Sequence, residues 1–348
     1  MTKRLEWVDI AKGIGILLVI WGHCLHIEQI LFHLIFVFHM PLFLMLSGYV
    51  FQEKDSFPDL IRKKLRALIL PYLCFFVLGL AVTLILPEWR QGLSLAELKA
   101  DLWLGYPNSV NNSSIWFLLC LFFTVLLFQC ICKLPSALQF LALLIIYSIG
   151  IWYSKHQFPF MGYSRLPLTL DVLPVATAFF ALGYYAKTNK VMQVFTKRTA
   201  VTAAAMVFSC VGVFIIYRYN GYVNLHGLAY HSAELYLLGG ILGTMAVVTF
   251  SVLLEKTDLS LFKRIKSILL WYGRHSLHIL GMQSLLIRLY IVFVNHIFGV
   301  KLTLYFFPWQ HCLVSTIIVA FIICPILCCL VDRIKLFPIL INLKGNTK

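Results

Sequence analysis

DIAKGIGILLVIWGHCLHIEQILFHLIFVFH, residues 9–39, is apolar enough to enter a bilayer yet carries Asp9, Lys12, His23, His26, His33 and His39. Ionisable groups at membrane depth are costly, so they turn toward a bundle interior or a wet cavity and mark functional sites. At a rise of about 1.5 Å per residue, Lys12 and His23 stand roughly 16 Å apart along one helix, about half of a hydrocarbon core of roughly 30 Å. Lys12 then sits at one membrane face while His23 lies near the middle.

The remainder of the chain has the same character. Of 348 residues, 61% are hydrophobic and only 12% charged, with a mean hydropathy of +0.87. That leaves too little polar surface for a soluble globule, so an integral membrane protein is expected. A net charge of +15 would suggest nucleic acid in a soluble protein; here its distribution along the chain is the informative quantity, and no nucleic acid is expected as a partner. The ten cysteines lie mostly in apolar runs with no CxxC pair, which makes them small buried hydrophobes and neither a disulfide framework nor a zinc site. Lys3 and Arg4 ahead of an apolar run imitate a signal peptide, but Lys12 interrupts the run and no small-residue cleavage site follows, so a retained first helix is expected.

Apolar runs bounded by charges, Pro or Asn predict about ten spans: 8–27, 31–51, 67–87, 114–132, 137–154, 169–187, 199–218, 233–254, 273–294 and 309–331. With the N-terminus in the cytoplasm, the inside segments hold all of the 29 Lys and Arg except Arg90, Lys99, Lys155, Arg165, Arg218, Arg288 and Lys301. That asymmetry predicts an all-α polytopic bundle with both termini cytoplasmic, a single domain over residues 1–348. In the outer segment 88–113, LAELKADLW has helical spacing, suited to a short helix on the membrane or part of a lid over a pocket. Segment 219–232, YNGYVNLHGLAYHS, brings Asn, His and Tyr groups that suit hydroxyl-rich ligands, Asn224 among them, and reads equally as an ordinary surface loop.

Four stretches add up to a resemblance. DIAKGIGILLVIWGH, FHMPLFLMLSGYVF, RKKLRALILPY and SIWFLLCLF occur in the order found in the membrane-bound acyltransferase 3 family, and the chain most resembles its fucose 4-O-acetylase-like branch. LPVATAFFALGYYAK and WYGRHSLHIL are similar to later helices of that branch, so the likeness runs over nearly the whole chain. It implies an O-acyltransferase of the bacterial inner membrane that carries acetyl, or a related short acyl group, from cytoplasmic acyl-CoA to a sugar hydroxyl of a cell-surface polysaccharide or a lipid-linked glycan precursor. Acyl-CoA is the donor substrate, and no permanently bound cofactor is implied.

The family's first-helix basic residue and His correspond to Lys12 and His23, although many relatives carry Arg where Lys12 stands, and Lys lacks the fork that grips phosphate through two bonds. Attack of a hydroxyl on a thioester needs a proton acceptor, and neutral imidazole has a suitable pKa, which makes His23 the expected general base. His39 resembles a second family His, with acceptor positioning, polarisation of the carbonyl, or helix packing beside Pro41 as its readings. His26 and His33 are expected as partners or cavity-lining residues. His23 with His26, and His275 with His278, share helix faces, but neither pair has a carboxylate or thiolate at a supporting spacing, so no metal is expected.

Acyl-CoA phosphates require cations at the inner face. Arg62, Lys63, Lys64 and Arg66 gather there, and the resemblance points to Lys63 and Arg66 for donor binding, beside the plain reading as a positive-inside and lipid-binding signal. Trp116 with Phe117 resembles the family's aromatic pair, suited to a sugar face. Asp171 and Glu234 are scarce carboxylates near the outer face, read either as orienting His23 or holding a hydroxyl, or as simple interfacial residues. Relatives often have His where this chain has Gln283, so a role for that His does not carry over. The competing class is a secondary transporter or flippase for a glycan or glycolipid; its signature, paired Gly/Pro-interrupted spans in the two halves, is not seen in the sequence.

Overall fold

A computed structural model describes residues 5–24, 30–53, 56–299, 314–315 and 317–334. Nine helices among the described residues are long and apolar enough to cross a membrane, and a shorter apolar helix spans Ile318–Leu330. The chain is a multi-pass, all-α membrane bundle. Among the described residues the extended structure amounts to two isolated bridges, Phe160 with Tyr163 and Asn224 with Ala229.

In chain order the helices are α1 (Glu6–Cys24), α2 (Ile30–Val50), α3 (Phe57–Ile85), α4 (Leu95–Leu104), α5 (Trp116–Cys132), α6 (Ser136–His156), α7 (Leu173–Thr188), α8 (Thr199–Asn220), α9 (Ala233–Lys256), α10 (Ser260–Arg274), α11 (Ser276–Phe298) and α12 (Cys324–Ile334). Eight of the expected spans match α1, α2, α5–α9 and α11 within a few residues. The last expected span, 309–331, falls partly outside the described residues.

Two elements depart from the expectation. The third span begins at Phe57, because the basic run RKKLR is helical and continuous with it. Ser56 caps this extension, its hydroxyl accepting from the Asp59 N–H at 3.3 Å, and Pro58 fills the first turn. Where the run enters the apolar part, Leu65–Ile69 form a π turn, immediately ahead of Pro71, whose ring nitrogen has no hydrogen to donate. The second departure is α10, a helix where a loop was expected. Its 15 residues are amphipathic, with Lys263, Arg264 and Lys266 breaking up Leu and Ile, so no apolar run announces it.

α1 is the centre of the bundle, packed against α2, α9, α10 and α11. Its contact with α10 is backbone to backbone. A Cβ at Gly13 would collide with the Leu269 carbonyl, and one at Gly273 with the Asp9 carbonyl, so glycine at both positions is what lets the helices meet. The basic segments collect at the Lys12 end of the bundle: Lys266 pairs with Glu6 at 2.8 Å, Lys187 donates to the Phe51 carbonyl at 3.0 Å, and Lys256 donates to the Phe195 carbonyl at 3.2 Å.

At the opposite end, α4 forms where LAELKADLW was expected. Ser94 and Glu97 make a reciprocal capping box at its start, and Gly105, at φ 70°, ends it in the left-handed conformation.

Candidate active site

Two cavities follow one another along α1. One, of about 140 Å³, has Lys12 in its wall together with Ser47 and Ser276; the other, of about 80 Å³, holds His23 and His39. Three apolar side chains, Val19, Met40 and Leu280, line both. Four helices pass from one chamber to the other. α1 presents Lys12, Ile16, Val19 and then His23; α2 presents Ser47, Phe43, Met40 and then His39; α11 presents Ser276, Leu277 and then Leu280; α5 presents Leu121 and Leu118 and is preceded by the turn carrying Ser113 and Ser114. The two chambers are therefore stacked along the bundle axis, one with a lysine in its wall and the other with histidines.

The geometry of the His chamber is specific. His39 is buried, and its Nδ1 lies 2.9 Å from the Ile35 carbonyl oxygen. A carbonyl can only accept, so Nδ1 carries the hydrogen and Nε2 is left as the acceptor of the neutral ring. The Phe36 ring lies between the two histidines, 4.7 Å from His39 and 6.4 Å from His23, centroid to centroid.

The far wall comes from two loops. From the first come Tyr106, Ser113 and Ser114, followed by Trp116 at the start of α5; from the second, segment 221–232, come Asn224, Leu225 and His226. His226 is stacked on Tyr106 at 4.0 Å and lies 4.8 Å from Trp116. Burial, with the charge of Arg165 adding to it, pushes the His226 pKa well below the usual imidazole value, so the ring is neutral at pH 7. Asn224 folds its own loop: Nδ2 donates to the Tyr222 hydroxyl at 2.7 Å, and Oδ1 accepts from the Gly227 N–H at 2.9 Å.

Three polar side chains tie the first loop to the helices. Buried Asn112 donates through Nδ2 to the carbonyls of Phe75 on α3 and Gly281 on α11, at 3.1 and 2.9 Å. The Ser114 and Ser284 hydroxyls are 2.6 Å apart. Arg288 donates to Asn111 Oδ1 at 2.9 Å and Asn108 Oδ1 at 3.2 Å, and it is close enough to act electrostatically on His23.

The structure thus gathers His23, His39, Trp116 and Asn224 at one chamber and places Lys12 at the next. The other expected residues lie elsewhere. Lys63 and Arg66 are exposed at the Lys12 end, Arg66 within the π turn of α3 and two residues before Leu68, which does line the Lys12 chamber. Asp171 is buried but bound by Arg165, Nε to Oδ2 at 2.6 Å, and it is not in the chamber wall. Glu234 lies in the first turn of α9, accepts a hydrogen bond from the Ser232 hydroxyl at 2.9 Å and lines a separate groove between α6 and α9. His33 packs between Tyr217 and Tyr222, at 5.8 and 5.6 Å. His26 lies outside the described residues.

A family model described as an acyltransferase domain, acyltransferase 3, matches residues 5–340. The chain belongs to the acyltransferase 3 family. No curated protein and no solved structure matches it. For an acyltransferase 3 protein the matched range takes in α1 to α12, so both chambers and both loops belong to the family domain.

Sequence reasoning missed several groups that build the site of this acyltransferase. Arg288 carried a readable signal, a lone cation in the apolar run of α11. His226 lies in segment 219–232, which the sequence marked only as a stretch, while Tyr106 and Asn112 carried no signal, because each acts from a loop whose path depends on contacts far away in sequence.

Proposed function

We propose that this membrane acyltransferase moves a short acyl group, acetyl in the first instance, from cytoplasmic acyl-CoA to a sugar hydroxyl of a cell-surface polysaccharide or its lipid-linked precursor. It works from the bacterial inner membrane, with both termini and the Lys12 chamber toward the cytoplasm. The observation that carries the reading is the stacking of two chambers along α1, one with a cation and one with three imidazoles, which share Val19, Met40 and Leu280 in their walls.

The chemistry has two halves that must meet inside the membrane. The donor is anionic and stays on the cytoplasmic side, where the basic segments gather; Lys12, with Lys63 and Arg66 at the same end, opposes its phosphates. Its thioester enters through the Lys12 chamber. The acceptor occupies the His chamber, where Trp116 offers a ring face and Asn224 lies in the wall. His23 takes the proton from the attacking hydroxyl as the sugar oxygen bonds to the thioester carbonyl carbon. When the tetrahedral intermediate collapses, the carbon–sulfur bond breaks, and the leaving thiolate takes that proton back from the imidazolium. CoA departs as the free thiol and the sugar keeps the ester. His39, with Nε2 as acceptor, receives a hydrogen bond from a neighbouring acceptor hydroxyl and fixes the ring.

Labelled acetyl-CoA supplied to membranes tests this directly. A glycan ester that carries the label and is cleaved by mild base is the expected product. Movement of a solute across the membrane with no label incorporated would make the protein a transporter and end the reading.

A further inference from the structure

Between α6 and α9 lies a groove of about 760 Å³, bridged where the Tyr147 hydroxyl donates to the Ala233 carbonyl at 2.7 Å. Its walls open to the hydrocarbon. Leu144, Trp152 and Leu238 are each about half exposed, and of all the residues of α6 only Gly150 and Tyr153 are buried. The groove is polarised along its length. Leu144, Leu237 and Ile241 form its apolar part, while its charged lining residues, Lys155 in the last turn of α6 and Glu234 in the first turn of α9, stand together at the end that carries the 221–232 loop. From Leu144 to Lys155 is eleven residues, roughly 16 Å of helix, about half the depth of a hydrocarbon core of roughly 30 Å. Lys155 is close enough to act electrostatically on Glu234, yet among the described residues the two form no ion pair, and the Glu234 carboxylate accepts from the Ser232 hydroxyl instead.

We infer that this groove binds one phospholipid with a zwitterionic headgroup, its phosphate against Lys155, its primary ammonium against Glu234 and an acyl chain along Leu144, Leu237 and Ile241. The charges select the occupant. A purely anionic headgroup would satisfy Lys155 but set like charge against Glu234. A primary ammonium offers the carboxylate three N–H donors and makes charge-assisted hydrogen bonds, which a quaternary ammonium cannot. Trp152, stacked on His156 at 4.9 Å, sits at the same level, where an indole ring suits the membrane interface. The lipid fills the gap between α6 and α9 directly beside Ala233, where α9 begins. It thereby steadies the helix start that follows the loop bearing Asn224 and His226.

The test titrates the full chain, purified in mild detergent, with phosphatidylethanolamine, phosphatidylcholine, phosphatidylglycerol and a polyprenyl phosphate, and reads bound lipid by native mass spectrometry and the melting temperature. Wild type should hold phosphatidylethanolamine about fivefold more tightly than the others, the equivalent of the roughly 1 kcal/mol that one cation near the surface adds to headgroup binding. Its melting temperature should rise with that lipid, as for any ligand that binds the folded state alone. Lys155→Gln should lose the preference, and Leu238→Trp, which narrows the groove, should weaken retention of every lipid. Glu234→Gln is the decisive variant: with Lys155 left alone, the preference should turn toward phosphatidylglycerol, a reversal that a merely destabilised protein would not show. Equal retention of phosphatidylethanolamine and phosphatidylglycerol by wild type, or a wild-type preference in folded Glu234→Gln, would overturn the inference. Tighter binding of the polyprenyl phosphate would overturn it too, and would assign the groove to a lipid carrier.

Discussion

Replacing Asn112 by Leu should weaken the acceptor side of the site while sparing the donor side. The Asn112 side chain is fully buried and donates two hydrogen bonds from one amide nitrogen, to α3 at 3.1 Å and to α11 at 2.9 Å. It stands immediately before the turn Ser113–Ile115, which brings Ser113, Ser114 and Trp116 to the His chamber. Leu keeps the same branched four-atom shape, somewhat enlarged, and removes both bonds. At about 0.6 kcal/mol for an average interhelical hydrogen bond in a membrane, and about 1 kcal/mol for a general one, the pair contributes about 1–2 kcal/mol. Among the described residues Asn112 Oδ1 has no hydrogen-bond partner, so removing that buried polar atom offsets part of the loss. The expected net destabilisation is about 1 kcal/mol, near the median for single substitutions. Thermal unfolding in detergent, with steady-state kinetics on both substrates, measures it: the midpoint should fall and the acceptor KM rise, with the acyl-CoA KM unchanged. An unaltered midpoint together with an unaltered acceptor KM would refute the claim that Asn112 holds the chamber wall.

Charge removal at the Lys12 end, Lys63→Gln with Arg66→Gln, should raise the acyl-CoA KM with little change in kcat, since a contact remote from the reacting atoms contributes uniform binding; unchanged CoA affinity in folded protein would reduce both residues to orientation and lipid signals. His226 supplies a pH prediction. Its folded-state pKa is depressed, so below about 6.5 the unfolded chain binds the proton more readily than the fold does, and the stability present above that value is lost as pH falls toward the folded pKa. The melting temperature of wild type should therefore drop between pH 7.5 and 5.5, and His226→Gln should flatten that drop; identical pH profiles would show that the ring is not held neutral by its seat between Tyr106 and Trp116.

Span positions were legible because each long helix contains a long, mainly apolar run bounded by polar or charged residues, and membrane insertion leaves little else to decide. The same reasoning missed α10 and the Phe57 start of α3, where basic residues interrupt the hydrophobicity but not the helix. At the site, His23 and Lys12 stood out because charge inside an apolar stretch is anomalous on its face. Asp171 looked equally anomalous, yet its partner turned out to be Arg165, six residues before it, and no property of the carboxylate itself distinguishes an ion pair from a catalytic group. Val19, Met40 and Leu280, which line both chambers, carried no signal for the opposite reason: they are ordinary apolar residues in an apolar chain, and only packing from three helices gives them a common position.

The central claim is that His23 accepts the proton of the acceptor hydroxyl. Its most direct test is single-turnover acyl transfer by purified His23→Ala from labelled acetyl-CoA, with donor binding measured on the same preparation. The account predicts intact acyl-CoA binding and a transfer rate lower by roughly 10²- to 10⁴-fold, the usual contribution of a positioned proton acceptor. His23→Gln should do no better, because an amide hydrogen-bonds but takes no proton at neutral pH. A folded His23→Ala enzyme that acylates its acceptor at the wild-type rate would contradict it.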